Sequence, residues 1–232
     1  MNLVKLLANL GYGSRKEVQK LIRAGALTSV GGEVLGEDSA VAHDDIRYRG
    51  RPIDPAFGMV LMLNKPTGYV CSLKDRGQLV YELLPDRFAV RKPVLSTIGR
   101  LDSDTSGLLL FTDDGDFLHK IISPKNHVAK IYEVTCARPL EAHYGEVFAS
   151  GTLVLEAEKD ALKPAFLEVT GEKTARLTLF EGRYHQVRRM FAAVGNHVET
   201  LHRAQMAELT LGDLAPGKWR LLTAEEAAGL LV

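Results

Sequence analysis

The N-terminal residues alternate helical patterns with glycine-rich turns. Leucines recur at helical spacing over residues 3–10, and Gly11 predicts the end of that helix. A second helix is predicted to begin at Ser14, because its hydroxyl can cap the free amides and Glu17 occupies the capping-box position. Gly25 predicts where this helix ends. Two short helices are therefore expected at the start of the chain.

A small sheet is predicted after these helices. Residues 26–50 contain β-rich pieces that Gly-Gly and Asp-Asp interrupt, a pattern typical of a small twisted sheet. The next segment, RPIDPAFG (51–58), has two prolines and a glycine and is the best candidate for a linker. We therefore predict a compact helix-and-sheet module over residues 1–54 and a larger domain over residues 55–232.

From Met59 onward, short apolar runs alternate with helical patterns. The runs are rich in β-branched and aromatic residues and are predicted strands: MVLML, GLLLFT, KIYEVTC, FLEVT, ARLTLF and HVETLHR. Helices are predicted at 116–122, 140–149 and 184–194. The alternation indicates an α+β fold in which helices flank a mostly antiparallel or mixed sheet.

The composition fits a protein with a sizeable core, since 46% of the 232 residues are hydrophobic. Lys plus Arg and Asp plus Glu both number 29, so any nucleic-acid contact must use local patches rather than a global field. Cys71 and Cys136 are too few for a disulfide framework and lack neighbours at zinc-ligand spacing, which predicts reduced structural cysteines. No signal sequence or apolar run of membrane length is present. We expect a cytoplasmic protein without membrane contact.

One polar stretch, GRLDSDTSGLLLFTDDGD (99–116), places five short hydroxyl and carboxylate side chains before a predicted buried strand. Asp102, Asp104 and Ser106 match the first half of a calcium loop, with Asp113 in the place of its last ligand. The match weakens downstream, because LLLFT is typical of a strand and not of a loop between helices. A plain polar turn is the second interpretation, but it leaves the arginine and the first aspartate unexplained. The third interpretation is a catalytic loop.

A second segment, EGRYHQVRRMFAAVGNHV (181–198), favours the catalytic interpretation. Its polar cluster opens an apolar helix and contains Arg183, His185, Gln186, Arg188 and Arg189. Such a cluster is typical of an RNA-facing edge, although a single basic cluster is also common on a solvated face. An aspartate nucleophile must stay ionised in a partly dry pocket, and a neighbouring cation favours the ionised form. Arg188 is the candidate cation for Asp102.

Together these segments resemble the pseudouridine synthases, specifically the RsuA branch that modifies ribosomal RNA. GRLDSDTSGLL resembles their catalytic-loop signature. Four further segments agree with it: LNKPTGYVCS (63–72), KIYEV (130–134), EKDALKPA (158–165) and EGRYHQVRRMFAAVGNHV. Residues 1–54 are similar to the alpha-L RNA-binding module that precedes many of these enzymes, with SRKEVQKLIRAG as the most recognisable part. The resemblance implies an RNA-binding module followed by an α+β catalytic domain.

The resemblance implies a role for each matched residue. Asp102 is the implied nucleophile that attacks a flipped uridine, with the anomeric carbon favoured over carbon 6 of the base. Tyr132 matches the aromatic residue that packs on the target uracil, and Arg188 matches the basic partner of the aspartate. Arg100 matches the residue that fills the space left by the flipped base. The isomerisation needs no cofactor and no metal ion, so none is expected.

Other polar residues are candidate RNA contacts. In the larger domain they are Arg100, Lys65, Arg183, His185 and Gln186, and on the capped helix of the module they are Arg15, Lys16, Lys20 and Arg23. For Lys65 the alternative is to brace the first sheet, and for His185 it is a structural role or a general base. His202 and Arg203 are expected to extend the basic edge.

The implied partner is ribosomal RNA. GYVCS and EKDALKPA resemble the small-subunit enzyme more than its large-subunit relatives, which favours 16S ribosomal RNA, either free or within a small-subunit assembly intermediate. The protein is expected to be a monomer. A synthase acting on 23S ribosomal RNA and a non-catalytic RNA-binding or ribosome-assembly protein are the alternatives. The set of Asp102, Tyr132 and Arg188 argues against a non-catalytic protein.

Overall fold

The computed structural model describes residues 2–72, 76–123, 126 and 128–231, and it has the predicted α+β fold. The residues group into two compact units. The first contains Met1–Met59, Tyr81–Ser96 and Thr112–Gly115, and the second contains Val60–Val80, Thr97–Phe111 and Asp116–Val232. The N-terminal unit therefore includes segments from the middle of the chain.

The N-terminal unit begins with the two predicted helices, α1 (Leu3–Asn9) and α2 (Arg15–Arg23). Ser14 and Glu17 form a capping box at the start of α2. The amide of Ser14 donates to the Glu17 carboxylate at 2.7 Å, and the amide of Glu17 donates to the Ser14 hydroxyl at 3.3 Å. The apolar sides of both helices are buried in one core. The predicted capped second helix is confirmed.

A three-stranded antiparallel sheet completes this core. Its strands are β1 (Leu27–Ser29), β2 (Ile46–Tyr48) and β3 (Arg51–Pro52), in that spatial order. A 3₁₀ turn at His43–Asp45 precedes β2. The first residue of β1 and the first residue of β2 are both fully buried. The predicted small sheet is thus present.

The N-terminal unit also holds residues beyond position 54. Helix α3 (Asp86–Ala89) belongs to it, and Arg87 on this helix forms a two-bond ion pair with Asp54 at 2.7 and 2.9 Å. The amide of Lys92 donates to the carbonyl oxygen of Asn9 at 2.8 Å. A cut at residue 54 would therefore separate parts of one compact unit.

The second unit is built on a nine-stranded sheet. The strands that follow β3 in the chain are β4 (Val60–Lys65), β5 (Tyr69–Val70), β6 (Gln78–Leu79), β7 (Ser96–Ile98), β8 (Thr105–Thr112), β9 (Lys130–Cys136), β10 (Phe166–Val169), β11 (Thr174–Leu179), β12 (Val198–Met206), β13 (Leu209–Thr210) and β14 (Trp219–Leu221). β5 and β6 pair only with each other in the described part of the chain. The large sheet has the order β10-β11-β9-β12-β8-β4-β14, with β7 beside β8 and β13 beside β12.

The large sheet is mixed, as predicted. β9 pairs in antiparallel fashion with β11 and β12, whereas β8 and β12 run parallel. At the parallel pair, Gly107 of β8 lies opposite Arg203 of β12 and has φ of +110°. A Cβ atom at Gly107 would lie 2.3 Å from the carbonyl oxygen of Arg203, so only glycine permits this close approach of the strands.

Four helices accompany the second sheet: α4 (Gly115–Ile122), α5 (His143–Ala149), α6 (Gln186–Ala193) and α7 (Ala224–Ala228). The first three confirm the predicted helices at 116–122, 140–149 and 184–194. Two 3₁₀ turns lie at Val80–Leu83 and Gly229–Leu231. Apolar residues of β4, β8 and α4 share one buried core.

The two cysteines are free and buried, as predicted. Burial raises the pKa of both thiols, and that of Cys136 rises to about 11. Within the described ranges, no helix combines the length and the apolar character that a membrane span requires.

Candidate active site

The polar stretch after Gly99 forms a loop beside a cleft in the second unit. Gly99 has φ of +73°, and residues 99–104 connect β7 to β8. The cleft has a volume of about 890 Å³, and its walls include Asp102, Tyr132 and His185. The side chain of Asp102 is 33% exposed. The predicted nucleophile and the predicted aromatic residue therefore line the same cleft.

Lys65 holds this loop from the protein interior. Its side chain is fully buried at the end of β4. Nζ donates to the carbonyl oxygens of Asp102 at 3.0 Å, Thr105 at 2.8 Å and Pro66 at 3.1 Å. Burial lowers the pKa of this ammonium group. The predicted phosphate contact is wrong, because RNA cannot reach a buried ammonium whose donors are directed at the loop. The bracing alternative is the one observed.

Two further contacts fix the loop from the segment LNKPTGYVCS. The amide of Gly68 donates to the carbonyl oxygen of Ser103 at 2.7 Å. Sγ of Cys71 donates to the carbonyl oxygen of Leu101 at 3.3 Å and accepts from the Leu101 amide at 3.4 Å. The backbone before and after Asp102 is thus fixed by the same segment, so two motifs noted in the sequence pack together.

The carboxylate of Asp102 lies against His185. Nε2 of His185 is 3.3 Å from Oδ1 of Asp102. His185 precedes α6 with a left-handed φ of 47°, and its ring stacks on Tyr184 with the centroids 3.8 Å apart. Non-glycine residues rarely adopt this backbone conformation, which is found at turns and at functional sites. Here it places the imidazole beside the aspartate and leaves Tyr184 73% exposed.

Arg188 does not form the predicted ion pair with Asp102. Its Nη2 lies 2.9 Å from a carboxylate oxygen of Asp104, and its Nη1 donates to the carbonyl oxygen of Val198 at 2.8 Å. The guanidinium therefore contacts the residue two positions after the predicted nucleophile. Arg188 therefore contacts the predicted loop, but its partner there is Asp104 and not Asp102, because the turn of the loop directs the Asp104 side chain toward α6.

Three neighbouring side chains of the sheet form the inner wall of the cleft. Tyr132 is 8% exposed, and Arg203 lies directly across from it on β12 with 2% exposure. Lys130, two residues before Tyr132, also lines the cleft. Burial and the nearby charge of Arg203 lower the pKa of Lys130 to about 8. The predicted placement of Arg203 on an exposed basic edge is wrong, because its side chain points from a central strand into the interior. His202 instead exchanges a 2.9 Å hydrogen bond with Ser106.

The basic cluster before α6 is largely committed to contacts within the protein. Arg183 donates to the carbonyl oxygens of Asp160 at 2.8 Å and Ala161 at 2.7 Å. Gln186 is buried and donates to the carboxylate of Glu181 at 2.9 Å. The predicted RNA contact of Gln186 is wrong for this reason, and the guanidinium of Arg183 anchors the EKDALKPA segment. Two more motifs of the sequence thus pack against each other.

The other predicted RNA contacts lie at the surface. Arg100 is exposed and lines the cleft. The four basic residues of α2 are also exposed: Arg15, Lys16, Lys20 and Arg23. Arg23 forms an ion pair with Glu37 at 3.5 Å. These five positions are accessible to a polyanion.

The calcium interpretation of residues 102–113 is wrong. Eight residues of that segment form the extended strand β8, so they do not fold back as a metal-binding loop. The carboxylate of Asp113 accepts from the guanidinium of Arg91 at 2.6 Å and from the amide of Gly58 at 2.9 Å. Among the described residues, no group of three or more His, Cys, Asp or Glu is arranged to hold a metal ion.

The sequence and the fold match one family of known proteins. A family model described as RNA pseudouridylate synthase matches residues 59–193, which include the loop of Asp102, strand β9 with Tyr132, and α6. The chain belongs to this family. The ribosomal small subunit pseudouridine synthase A of Escherichia coli (strain K12) is 44% identical to this synthase over 235 residues, covering 100% of both chains.

Other relatives agree over the full length of the synthase. The protein of the same name from Pasteurella multocida (strain Pm70) is 43% identical over 232 residues, covering 98% of each chain. A solved structure described as a pseudouridylate synthase superposes with a TM-score of 0.70 and 39% identity, covering 98% of each chain. The predicted family is confirmed.

Sequence patterns did not identify every residue of the cleft. Lys130 lies in the KIYEV motif beside Tyr132, and Cys71 lies in the segment LNKPTGYVCS. Position inside a family motif is the sequence feature that could identify both as cleft residues. The predicted surface for Arg203 is wrong because the face that a strand residue takes depends on the register with neighbouring strands.

Proposed function

We propose that this synthase isomerises uridine to pseudouridine in 16S ribosomal RNA, with Asp102 as the nucleophile. The observation that carries the proposal is the meeting of Asp102 and Tyr132 in one cleft of a pseudouridylate synthase fold. The relatives named as small-subunit enzymes over their full length support the choice of RNA.

The chemistry begins with the carboxylate of Asp102. One oxygen bonds to the anomeric carbon, and the glycosidic bond breaks with its electron pair leaving on uracil N1. The uracil anion turns within the cleft so that carbon 5 faces the sugar. Carbon 5 then bonds to the anomeric carbon and displaces the carboxylate. The carbon 5 proton passes to solvent and N1 gains a proton, so the net result is an isomerisation.

The cleft supplies the surroundings that this reaction needs. A uridine in a helix or folded loop must leave its stack to reach Asp102, at a cost of a few kcal/mol. Tyr132 offers an aromatic surface for the extruded base, and Arg100 at the exposed rim is suited to occupy the vacated space. Nε2 of His185, 3.3 Å from Oδ1 of Asp102, is suited to orient the carboxylate before RNA binds.

The N-terminal unit is proposed to position the RNA. The exposed cations of α2 can neutralise phosphates without reading sequence. This role needs no second copy of the protein, which fits action as a monomer in the cytoplasm. A small-subunit assembly intermediate would expose such RNA before it is enclosed by protein.

The proposal is tested by mapping pseudouridine in 16S and 23S ribosomal RNA from cells with and without the gene. Loss of a 16S pseudouridine that the wild-type gene restores, and the Asp102→Asn gene does not, is the expected result. Loss of a 23S position would move the substrate to the large subunit. Unchanged maps in both RNAs would contradict the proposal.

A further inference from the structure

Arg203 is a buried cation on a central strand of the large sheet. Its side chain is 2% exposed, and its Nε donates to the carbonyl oxygen of Leu108 at 2.7 Å. Its Nη2 is buried and has no hydrogen-bond partner among the residues that the structure describes. No carboxylate in the described part of the chain forms an ion pair with it. A buried guanidinium donor left unpaired costs free energy, so such a group is informative about a ligand.

Arg203 lies on the inner wall of the cleft, next to Tyr132. Arg203 on β12 is the register partner of Tyr132 on β9, and adjacent strands are about 4.8 Å apart. Both residues line the cleft that also contains Asp102. Because Asp102 is 33% exposed and Arg203 only 2%, the aspartate lies nearer to solvent and the arginine at the cleft floor.

The covalent structure of uridine determines which edge of the base meets that floor. N1 is joined to the sugar, and the sugar stays with the RNA backbone at the level of Asp102. Carbon 4 lies opposite N1 in the ring, so the 4-carbonyl oxygen enters the cleft first. This oxygen accepts hydrogen bonds, and a guanidinium can only donate them. Cytosine presents an amino group at the same position, which would oppose the Arg203 donor.

We propose that Arg203 is a catalytic residue whose buried Nη2 donates a hydrogen bond to the 4-carbonyl oxygen of the flipped uracil. The same cation stabilises the negative charge of the base after the glycosidic bond breaks. The inference rests on the proposed function and adds both the selection of uracil over cytosine and the stabilisation of the leaving base.

The turning of the detached base is compatible with this contact. When N1 leaves the anomeric carbon with its electron pair, the negative charge is shared with the oxygens on carbons 2 and 4. A half-turn about the axis through N3 and carbon 6 exchanges N1 with carbon 5 and carbon 2 with carbon 4. The 2-carbonyl oxygen then occupies the place of the 4-carbonyl oxygen. Arg203 therefore donates to a carbonyl oxygen before and after the turn.

Lys130 adds a second positive charge to the same wall. It lies two residues from Tyr132 on β9, and its Nζ donates to the carbonyl oxygen of Val128 at 3.1 Å. The charge of Arg203 contributes to the lowering of the Lys130 pKa, which places the two cations within electrostatic reach of each other. A fixed positive charge in a partly dry cleft is well placed to stabilise an anion that forms only during the reaction.

The test compares Arg203→Met and Arg203→Lys with the parent enzyme on an RNA fragment that contains the mapped target uridine. Arg203→Met should lower the single-turnover rate at saturating RNA roughly 100-fold or more, the usual effect of removing one such donor. Arg203→Lys should retain part of the rate because it keeps the charge. Arg176→Met on β11 is the matched control, since it removes an arginine that does not line the cleft and should change the rate less than about three-fold.

A change in the substrate separates a direct contact from a structural role. Replacing the 4-carbonyl oxygen with sulfur weakens the acceptor, so the 4-thiouridine RNA should react more slowly with the parent enzyme. With Arg203→Met the same replacement should change the rate less than about two-fold. Equal sensitivity of both enzymes to sulfur, or an Arg203→Met rate within about three-fold of the parent, would overturn the inference.

Two controls keep the outcomes distinct. If Arg203→Met does not unfold cooperatively, the sulfur comparison is made with Arg203→Lys, whose smaller sensitivity to sulfur supports the contact and whose parent-like sensitivity overturns it. A second measurement uses the inactive Asp102→Asn background. There, RNA with uridine at the target should bind roughly ten-fold more tightly than RNA with cytidine, and Arg203→Met should abolish the difference. Failure of the parent enzyme to form pseudouridine would instead overturn the proposed function.

Discussion

The ammonium nitrogen of Lys65 lies 3.0 Å from the carbonyl oxygen of Asp102, inside the protein and behind the loop that carries the carboxylate. One side chain thus satisfies several loop carbonyls that point away from solvent. The contact positions the backbone of Asp102 and leaves its carboxylate facing the cleft. A catalytic carboxylate needs this kind of fixed support, because small displacements of a reacting group cost large factors in rate.

Replacing Lys65 with methionine should lower the single-turnover rate on ribosomal RNA roughly 100-fold, because the loop carbonyls lose their common donor. Affinity for RNA should change less than about three-fold, since the ammonium is buried and contacts no phosphate. Lys218→Met, which alters an exposed lysine, is the control. A Lys65→Met variant that turns over at the parent rate but binds RNA weakly would contradict the bracing role.

The pair of Arg188 and Asp104 gives a second prediction. Asp104→Asn should cost less than about five-fold in rate, because the Asp104 side chain is 63% exposed and exposed ion pairs contribute about 0–1 kcal/mol. Arg188→Met should cost roughly 100-fold, because it also removes the contact to the carbonyl oxygen of Val198. Single-turnover rates of the two variants decide this. Equal losses would show that the Asp104 ion pair itself carries the role of Arg188.

The lowered pKa of Lys130 predicts a pH dependence of stability. In the folded protein this ammonium loses its proton near pH 8, whereas in the unfolded chain it keeps the proton to about pH 10.5, the ordinary pKa of a lysine. Between these two pH values the unfolded chain binds more protons than the folded protein, so the contribution of Lys130 to the free energy of unfolding rises with pH. The cost of burying the charge is full below pH 8 and declines as pH rises above it. Lys130→Met should therefore raise Tm at pH 7 relative to the parent, and the gain should shrink between pH 8 and 10. A gain independent of pH would contradict the pKa.

The exposed cations of α2 give a prediction about RNA docking. Changing Arg15, Lys16, Lys20 and Arg23 to glutamine should weaken affinity for ribosomal RNA and make its salt dependence shallower by roughly 0.7 to 0.9 for each lost phosphate contact. The single-turnover rate at saturating RNA should stay unchanged, because phosphate contacts position the RNA and perform no chemistry. Lys173→Gln, at an exposed position of the second unit, is the control for a single lost charge. An unchanged salt slope in the quadruple variant would show that α2 does not dock RNA.

Local patterns predicted the elements of the fold well. KIYEVTC is a predicted strand and forms strand β9 from its first residue to its last, because β-branched and aromatic residues suit a half-buried strand. The capping box of Ser14 and Glu17 likewise located α2. Both signals lie within a few neighbouring residues, so the sequence carries them directly.

The inner side of the site could not be predicted in the same way. Lysine and arginine often contact phosphate, but Lys65 and Arg203 are both buried on central strands. Which face a strand residue takes depends on the register with strands distant in sequence. The contact between His185 and Asp102 depends on a left-handed backbone that no local pattern indicated. The motifs located the site, and the sheet determined which side chains face its interior.

The proposed mechanism depends on Asp102 as the nucleophile. The most direct test is release of tritium from carbon 5 of labelled uridine in ribosomal RNA of the small subunit, with purified parent enzyme and Asp102→Asn. The substitution removes the nucleophilic charge with little change of volume. The parent should release tritium with turnover, and Asp102→Asn should release none while binding the RNA with unchanged affinity and unfolding at a similar temperature. Tritium release by Asp102→Asn near the parent rate would contradict the account.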